Sequence, residues 1–120
     1  MRGATSQLQS LSAPTGVTVF SAGNVSVNLA SYRATVADEP VELTYLEFEL
    51  LRLFVSQRDH ILPYEELARA LWGSTGRSER RHLGVVVCRL RAKLAASWPY
   101  RIETVRGRGY GLAQPVARRE

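Results

Sequence analysis

The chain has very little of the chemistry that builds disulfide frameworks or metal sites. Its 120 residues include one cysteine, Cys88, and two histidines, His60 and His82. A single cysteine excludes an internal disulfide, and this small set argues against a zinc site of the Cys/His type. We therefore expect a protein of a reducing compartment that carries neither metal nor cofactor.

Long apolar segments are absent too. No run approaches the roughly 18 consecutive apolar residues that span a bilayer, and residues 1–14 lack the apolar centre of a signal peptide. Residues 1–14 are rich in Ser, Thr, Gln and Ala and bury too little surface to offset the entropy of ordering, so we predict a flexible arm or linker. One domain over residues 15–114 and a tail over residues 115–120 complete the organisation expected of a cytoplasmic protein.

Catalytic constellations are missing as well. The sequence offers no nucleophile–base pair, no metal-ligand set and no glycine-rich phosphate loop. Glu47, Glu49, Glu65 and Glu66 lie near predicted helix starts, where negative charge is favourable. We therefore expect a protein that is not an enzyme.

Carboxylates are scarce in the second half of the chain. The net charge of +5 divides into 4 basic and 8 acidic side chains over residues 1–68, and 12 basic and 3 acidic side chains over residues 69–120. A strongly basic half predicts a polyanionic partner, which could be a nucleic acid or an anionic membrane surface. Charge alone does not distinguish a nucleic acid from a membrane surface.

The first part of the domain has the pattern of short strands. Between residues 15 and 44, turn residues separate four β-branched runs, at residues 17–20, 24–28, 32–37 and 40–44. We predict a four-stranded antiparallel sheet that covers one side of the domain.

Two helices are predicted after these strands. Thr44 and Glu47 have the spacing of a capping box, which starts a helix that runs to about residue 57. A brief extended segment at residues 61–62 precedes the second helix, residues 64–72, which Gly73 ends.

The pattern of residues 77–94 predicts a third helix with two unlike faces. On a helical wheel, Leu83, Val87, Leu90 and Leu94 fall on one apolar stripe that predicts contact with a core. The opposite face contains no carboxylate and consists of Arg77, Arg81, His82, Val85, Cys88, Arg89 and Ala92. A solvated helix face normally mixes both signs of charge, so we interpret this one as a DNA-recognition helix.

The last predicted element is a hairpin at residues 100–112. Its β-branched and aromatic residues flank a turn that contains Gly107 and Gly109, with Arg106 and Arg108 at or near the tip. An arginine on a narrow hairpin tip can enter the minor groove of DNA, where A-tracts concentrate negative potential.

Four separate stretches of the chain are informative when taken together: LTYLEFELLRLF (43–54), LARALWG (67–73), RLRAKL (89–94) and IETVRGRGYGL (102–112). They resemble the effector domain of OmpR/PhoB-type bacterial response regulators over about residues 15–112, and they occur in that family's order with near-standard spacing. The resemblance implies an α+β winged helix-turn-helix fold, with an N-terminal four-stranded antiparallel sheet, three helices and a C-terminal β-hairpin wing. It also implies a transcription regulator that places the third helix (about 77–96) in the major groove and the wing (about 100–112) in the minor groove.

The resemblance gives roles to individual residues. It implies that Arg89 reads a base, which suits a side chain that can grip guanine O6 and N7 with two hydrogen bonds. Arg81 and His82 would contact phosphates and groove edges, while Thr44 and Trp72 match positions that touch the DNA backbone. The full set of candidate DNA-binding residues is Thr44, Trp72, Arg77, Arg80, Arg81, His82, Val85, Val86, Cys88, Arg89, Arg91, Arg106 and Arg108.

The chain departs from the family at the reading surface. Val85 and Val86 stand where the family often has a polar residue or a histidine, and Cys88 stands where a basic residue is common. We infer a DNA site that is read partly through thymine methyl groups. Arg106 matches the wing arginine of the family.

Effector domains of this type usually follow a receiver domain with a phosphorylatable aspartate, which residues 1–14 could not supply. The chain is then either a fragment of a longer two-component regulator, which we favour, or a stand-alone effector domain that phosphorylation does not switch directly.

Three non-enzymatic functions stay open. The first is a sequence-specific regulator that binds repeated half-sites as two copies and associates with the nucleoid. The second is a winged helix that mainly recognises another protein, such as RNA polymerase, through the acidic first helix and the loop of Gly73, Ser74, Thr75 and Gly76. The third is a non-specific DNA-packaging protein.

Overall fold

The structure is a computed structural model and describes residues 18–114. The predicted arm and tail lie outside the described residues, as does residue 17 of the first predicted strand. The elements follow in the order β1 Val19–Ala22, β2 Val25–Asn28, β3 Arg33–Val36, β4 Glu39–Val41, α1 Tyr45–Ser56, β5 Leu62–Pro63, α2 Tyr64–Trp72, α3 Arg77–Lys93, β6 Arg101–Val105 and β7 Gly109–Ala113. The predicted α+β architecture is confirmed.

The first four strands form an antiparallel sheet in the order β1-β2-β3-β4. Its inner face buries alternate side chains, including Val25, Val27, Ala34 and Val36, which pack into the core as the period of two requires. The fourth strand is shorter than predicted and ends at Val41, because the residues after it lead into the cap of α1.

The capping box at the start of α1 is confirmed. The hydroxyl of Thr44 accepts a hydrogen bond from the Glu47 N–H at 3.2 Å, and the Glu47 carboxylate accepts one from the Thr44 N–H at 3.0 Å. These two bonds satisfy donors that a helix end leaves free. The helix buries Leu50, Leu51 and Phe54 completely.

Tyr32, in the turn before β3, contacts α1. Its ring stacks on Phe48 with centroids 4.3 Å apart, and its hydroxyl donates a hydrogen bond to the Glu49 carboxylate. This bond stabilises the protonated phenol and raises the pKa of Tyr32 to about 12.

An ion pair between an exposed lysine and a buried carboxylate links α1 to the end of α3. Lys93 Nζ lies 2.6 Å from the carboxylate of Glu47, which is only 2% exposed. Burial raises the pKa of Glu47, but the Lys93 ammonium and the Thr44 N–H more than offset it, so that the pKa lies below its ordinary value.

The predicted apolar stripe of α3 is buried in the core, with Leu83, Val87 and Leu90 at most 1% exposed. In the described part of the chain, no helix is long and apolar enough to cross a bilayer.

The remaining strands form a three-stranded sheet in the order β5-β7-β6, of which β6 and β7 make the wing. The turn residue is Gly107, with φ +78°. Gly109 is not part of the turn, contrary to prediction. It lies buried in β7, where a Cβ atom would stand 1.9 Å from the Leu62 carbonyl oxygen, so its lack of a side chain allows β5 to approach.

Candidate nucleic-acid interface

The outer face of α3 is exposed and cationic. Its side chains open to solvent are those of Arg77, Arg81, His82, Val85, Cys88, Arg89 and Ala92. Val85 is 40% exposed and lies among them, so the face presents an apolar contact between basic groups. The arrangement can contact both the phosphates and the base edges of a groove.

Val86 does not belong to this face. It is 5% exposed and packs in the core cluster with Val87 and Leu90, so its predicted place at the DNA surface is wrong. The buried side of α3 is wider than the predicted stripe, which left this position outside it. Only Val85 of the valine pair can meet a thymine methyl group.

Arg91 is engaged by the wing. Its guanidinium donates to the Ile102 carbonyl oxygen at 3.0 Å and to the Thr104 hydroxyl at 2.8 Å. A guanidinium held by two acceptors of β6 braces α3 against the hairpin. Arg91 thus has a structural role at the wing, and because its side chain is also exposed, its contact with DNA stays a prediction.

Trp72 and His82 meet where α2 ends and α3 begins. Their rings stack with centroids 5.0 Å apart and planes 23° from parallel. Trp72 is half-buried, whereas His82 is exposed, so the indole supports the imidazole from the protein side. The helix before the stack ends as predicted at Gly73, with φ +77°.

Arg80 lies on the flank of α3 that faces the wing. Its guanidinium carbon is 3.9 Å from the centroid of the Tyr64 ring, and Tyr64 meets the edge of Tyr110 at 5.5 Å. Arg80 and Arg108 line the same cleft. The structure thus brings an arginine of α3 and an arginine of the wing tip together.

The wing tip is a tight turn with two exposed arginines. The Arg108 N–H donates to the Val105 carbonyl oxygen at 2.9 Å and closes the turn around Gly107. Arg106 and Arg108 flank that glycine and are both exposed, as predicted.

Thr44 and the loop of Gly73, Ser74, Thr75 and Gly76 lie at helix ends. All five residues are exposed. Thr44 makes its two capping hydrogen bonds with Glu47, and its contact with DNA stays a prediction.

In the loop before α3, the Ser74 hydroxyl donates a hydrogen bond at 2.7 Å to Glu79, the one carboxylate of α3, and this bond lowers the pKa of Glu79.

The arginines of the interface have no acidic partners in the described residues. Between residues 18 and 114 the ion pairs are Arg52 with Glu49 and Lys93 with Glu47. Neither pair includes an arginine of the outer face of α3 or of the wing tip. The positive charge of these interface arginines is therefore available to an external anion.

A protein-family model described as "Transcriptional regulatory protein, C terminal" matches residues 38–112. The chain belongs to this family, the effector domains of OmpR/PhoB-type response regulators. The cell cycle transcriptional regulator CtrA of Caulobacter vibrioides is 36% identical over 99 residues, which are 81% of the chain and 43% of CtrA. The response regulator protein PmrA of Pseudomonas aeruginosa is 36% identical over 94 residues, 78% of the chain and 41% of PmrA. The chain thus spans less than half the length of these relatives.

The effector domain also resembles solved structures in its fold. The DNA-binding domain of RstA from Klebsiella pneumoniae, crystallised in complex with the RstA box, superimposes with a TM-score of 0.71 at 30% identity, covering 81% of the chain and 98% of that domain. The DNA-binding domain of CpxR from E. coli has a TM-score of 0.69 at 23% identity, covering 80% and 96%. The predicted winged helix is therefore confirmed.

Sequence reasoning missed the roles of several residues of the effector domain that position the candidate interface. The ring of Tyr64 contacts the guanidinium of Arg80, and the Thr104 hydroxyl accepts a hydrogen bond from Arg91. Gly109, which has no side chain, allows β5 to approach β7 closely. None of these contacts leaves a periodic signal in the sequence, because each joins residues that are distant along the chain.

Proposed function

We propose that the chain is a sequence-specific, non-catalytic DNA-binding domain of a bacterial transcription regulator that acts on the nucleoid. In this proposal the outer face of α3 enters the major groove of double-stranded DNA, and the wing tip enters the adjacent minor groove. Arg89 reads a guanine, and Val85 contacts a thymine methyl group.

One observation carries the proposal. The outer face of α3 holds exposed basic side chains without an acidic partner in the described residues, and two arginines of the wing lie at the neighbouring hairpin tip. A helix fits the major groove, and an arginine on a narrow tip fits the minor groove. The RstA domain, which shares this fold, was solved in complex with its DNA box.

Selection of bound sequences from a random DNA pool tests the proposal. We expect a defined motif, bound at least about 10³-fold more tightly than random DNA at physiological salt. Engagement of about six phosphates should also give a slope near −5 in log K against log salt on any DNA. A steep slope without an enriched motif would instead favour a packaging protein, and no binding would favour a protein-interaction module.

Two partners extend the proposal. The exposed loop of Gly73, Ser74, Thr75 and Gly76, whose shape the Ser74–Glu79 bond supports, is the candidate contact with RNA polymerase. A second copy of the chain is the candidate neighbour on repeated half-sites. Transcription in a purified system with loop variants that retain DNA affinity tests the first, and the spacing of half-sites in the selected motif tests the second.

A further inference from the structure

A cleft of about 410 Å³ opens between the wing tip and the first turns of α2 and α3. Its charged lining residues are Arg80 from α3, Arg108 from the wing and Glu65 from α2. The uncharged lining residues are Ile61, Pro63, Tyr64 and Gly107. No carboxylate of residues 18–114 lies within 4.0 Å of either arginine. Two unpaired guanidinium groups facing one cavity give it a net affinity for an anion.

Tyr64 prepares Arg80 for this task. The guanidinium lies 3.9 Å from the ring centroid, and Tyr110 supports the same ring from its edge, at 5.5 Å and 85°. Stacking uses the face of the guanidinium and leaves its N–H groups free in the plane. The side chain is therefore held in one place before any ligand arrives, which reduces the entropy lost on binding.

The position of the cleft identifies the anion. One side of α3 lies along the hairpin. Near the end of α3, Arg91 donates hydrogen bonds to Ile102 and Thr104. In the middle, Gly84 faces the Tyr110 hydroxyl, and near the start Arg80 lines the cleft beside the wing tip. If α3 occupies the major groove and the wing the minor groove, the strand that separates the two grooves must cross this line. Its phosphates would pass the cleft.

We propose that this cleft is a phosphate site, filled by one phosphodiester of the DNA backbone through both Arg80 and Arg108. The inference rests on the proposed function and adds to it a defined binding site, with Tyr64 as the positioning residue for Arg80. Guanidinium groups bind phosphate oxygens in bidentate geometry, and Glu65 at the rim opposes the same anion.

Binding to selected and random DNA over a salt series tests the shared phosphate. Arg80→Ala and Arg108→Ala should each weaken binding to both DNAs by the same factor, about 3- to 10-fold, but leave the salt slope nearly unchanged, because the remaining arginine still neutralises the phosphate. The double variant should flatten the slope by about 0.9, the value for one phosphate. A loss of about 1.8 in the double variant would mean two separate phosphates and would overturn the proposal.

Matched variants control for charge and for folding. Arg33→Ala removes an exposed arginine from β3 in the other sheet and should leave both affinities unchanged. Glu65→Gln should tighten binding to both DNAs.

Tyr64→Phe keeps the ring and should match the unmodified chain, whereas Tyr64→Leu should weaken binding as Arg80→Ala does. The double variant Tyr64→Leu/Arg80→Ala should then bind no more weakly than Arg80→Ala, and additive losses would refute the positioning role.

Titration of inorganic phosphate and pyrophosphate without DNA, followed by NMR shifts at Arg80 and Arg108, distinguishes the sources of phosphate. Shifts that depend on Arg80, together with unchanged DNA affinity in Arg80→Ala, would assign the cleft to a free phosphate compound and overturn the DNA backbone as its ligand. Unchanged DNA affinity without phosphate shifts would refute the site itself. If Arg89→Ala still altered specificity in either case, the proposed function would stand without the cleft.

Discussion

Trp72 and His82 stack with ring centroids 5.0 Å apart and fix the end of α2 against the first turns of α3. The half-buried indole belongs to the edge of the core, and the exposed imidazole belongs to the candidate interface. The stack therefore couples the packing of α2 to the orientation of a side chain of the candidate interface.

The stack predicts energetic coupling between these two residues in DNA binding. Trp72→Leu and His82→Ala should each weaken binding to all sequences, and the double variant should lose less than the sum, with a coupling energy of about 0.5–1.5 kcal/mol. Trp72→Phe keeps an aromatic platform and serves as the control. Anisotropy titrations of the four proteins measure the cycle, and purely additive losses would mean that the rings act independently.

The Lys93–Glu47 pair predicts a pH-dependent contribution to stability. Lys93→Met keeps the side-chain stem but leaves the buried carboxylate without its cation, and should cost about 1–2 kcal/mol of unfolding free energy at pH 7. Urea unfolding of the two proteins measures the difference.

The direction of the pH effect follows from the lowered pKa of Glu47. A carboxyl whose pKa is lower in the folded state contributes stability above its ordinary value near 4.5, and this contribution is lost as the pH falls through the folded pKa. The stability gap between the unmodified chain and Lys93→Met should therefore narrow below about pH 4.5. A gap that stayed constant from pH 7 to pH 3 would show that the ion pair is not its cause.

The two wing glycines predict different outcomes on substitution. Gly107→Ala should cost about 1 kcal/mol, since the position has a positive φ but open space around it. Gly109→Ala should cost about 2 kcal/mol or more, because its methyl group would collide with the Leu62 carbonyl and separate β5 from β7. Thermal unfolding of both variants checks the order, and equal losses would contradict the close approach.

The sequence predicted those features that local chemistry decides. The capping box at Thr44, the helix α2 from Tyr64 to Trp72 and the exposed arginines of the wing tip were all found as expected. Each depends on residues within a few positions of one another, so periodicity and turn chemistry suffice to locate them.

Features that depend on tertiary packing were not predicted. Val86 is buried because the packed side of α3 is wider than one stripe of the helical wheel, and Arg91 turns to acceptors on β6 that are eleven or more residues away. The sequence pattern places Gly109 in a turn, whereas in the structure its role is to let Leu62 of β5 lie close to β7. A helical wheel treats α3 as an isolated helix, whereas in the structure α3 also contacts α1, α2 and β6.

The specificity of Arg89 tests the central claim most directly. Affinity for the selected site and for random DNA should be measured for the unmodified chain, Arg89→Ala and Arg89→Lys at one salt concentration. We expect Arg89→Ala to lower the specific-to-random ratio by about 5- to 150-fold, the equivalent of 1–3 kcal/mol, and to change random binding far less. Arg89→Lys keeps the charge but loses the planar fork, and should lower the ratio while preserving random affinity. An unchanged ratio in Arg89→Ala would contradict base reading by the outer face of α3.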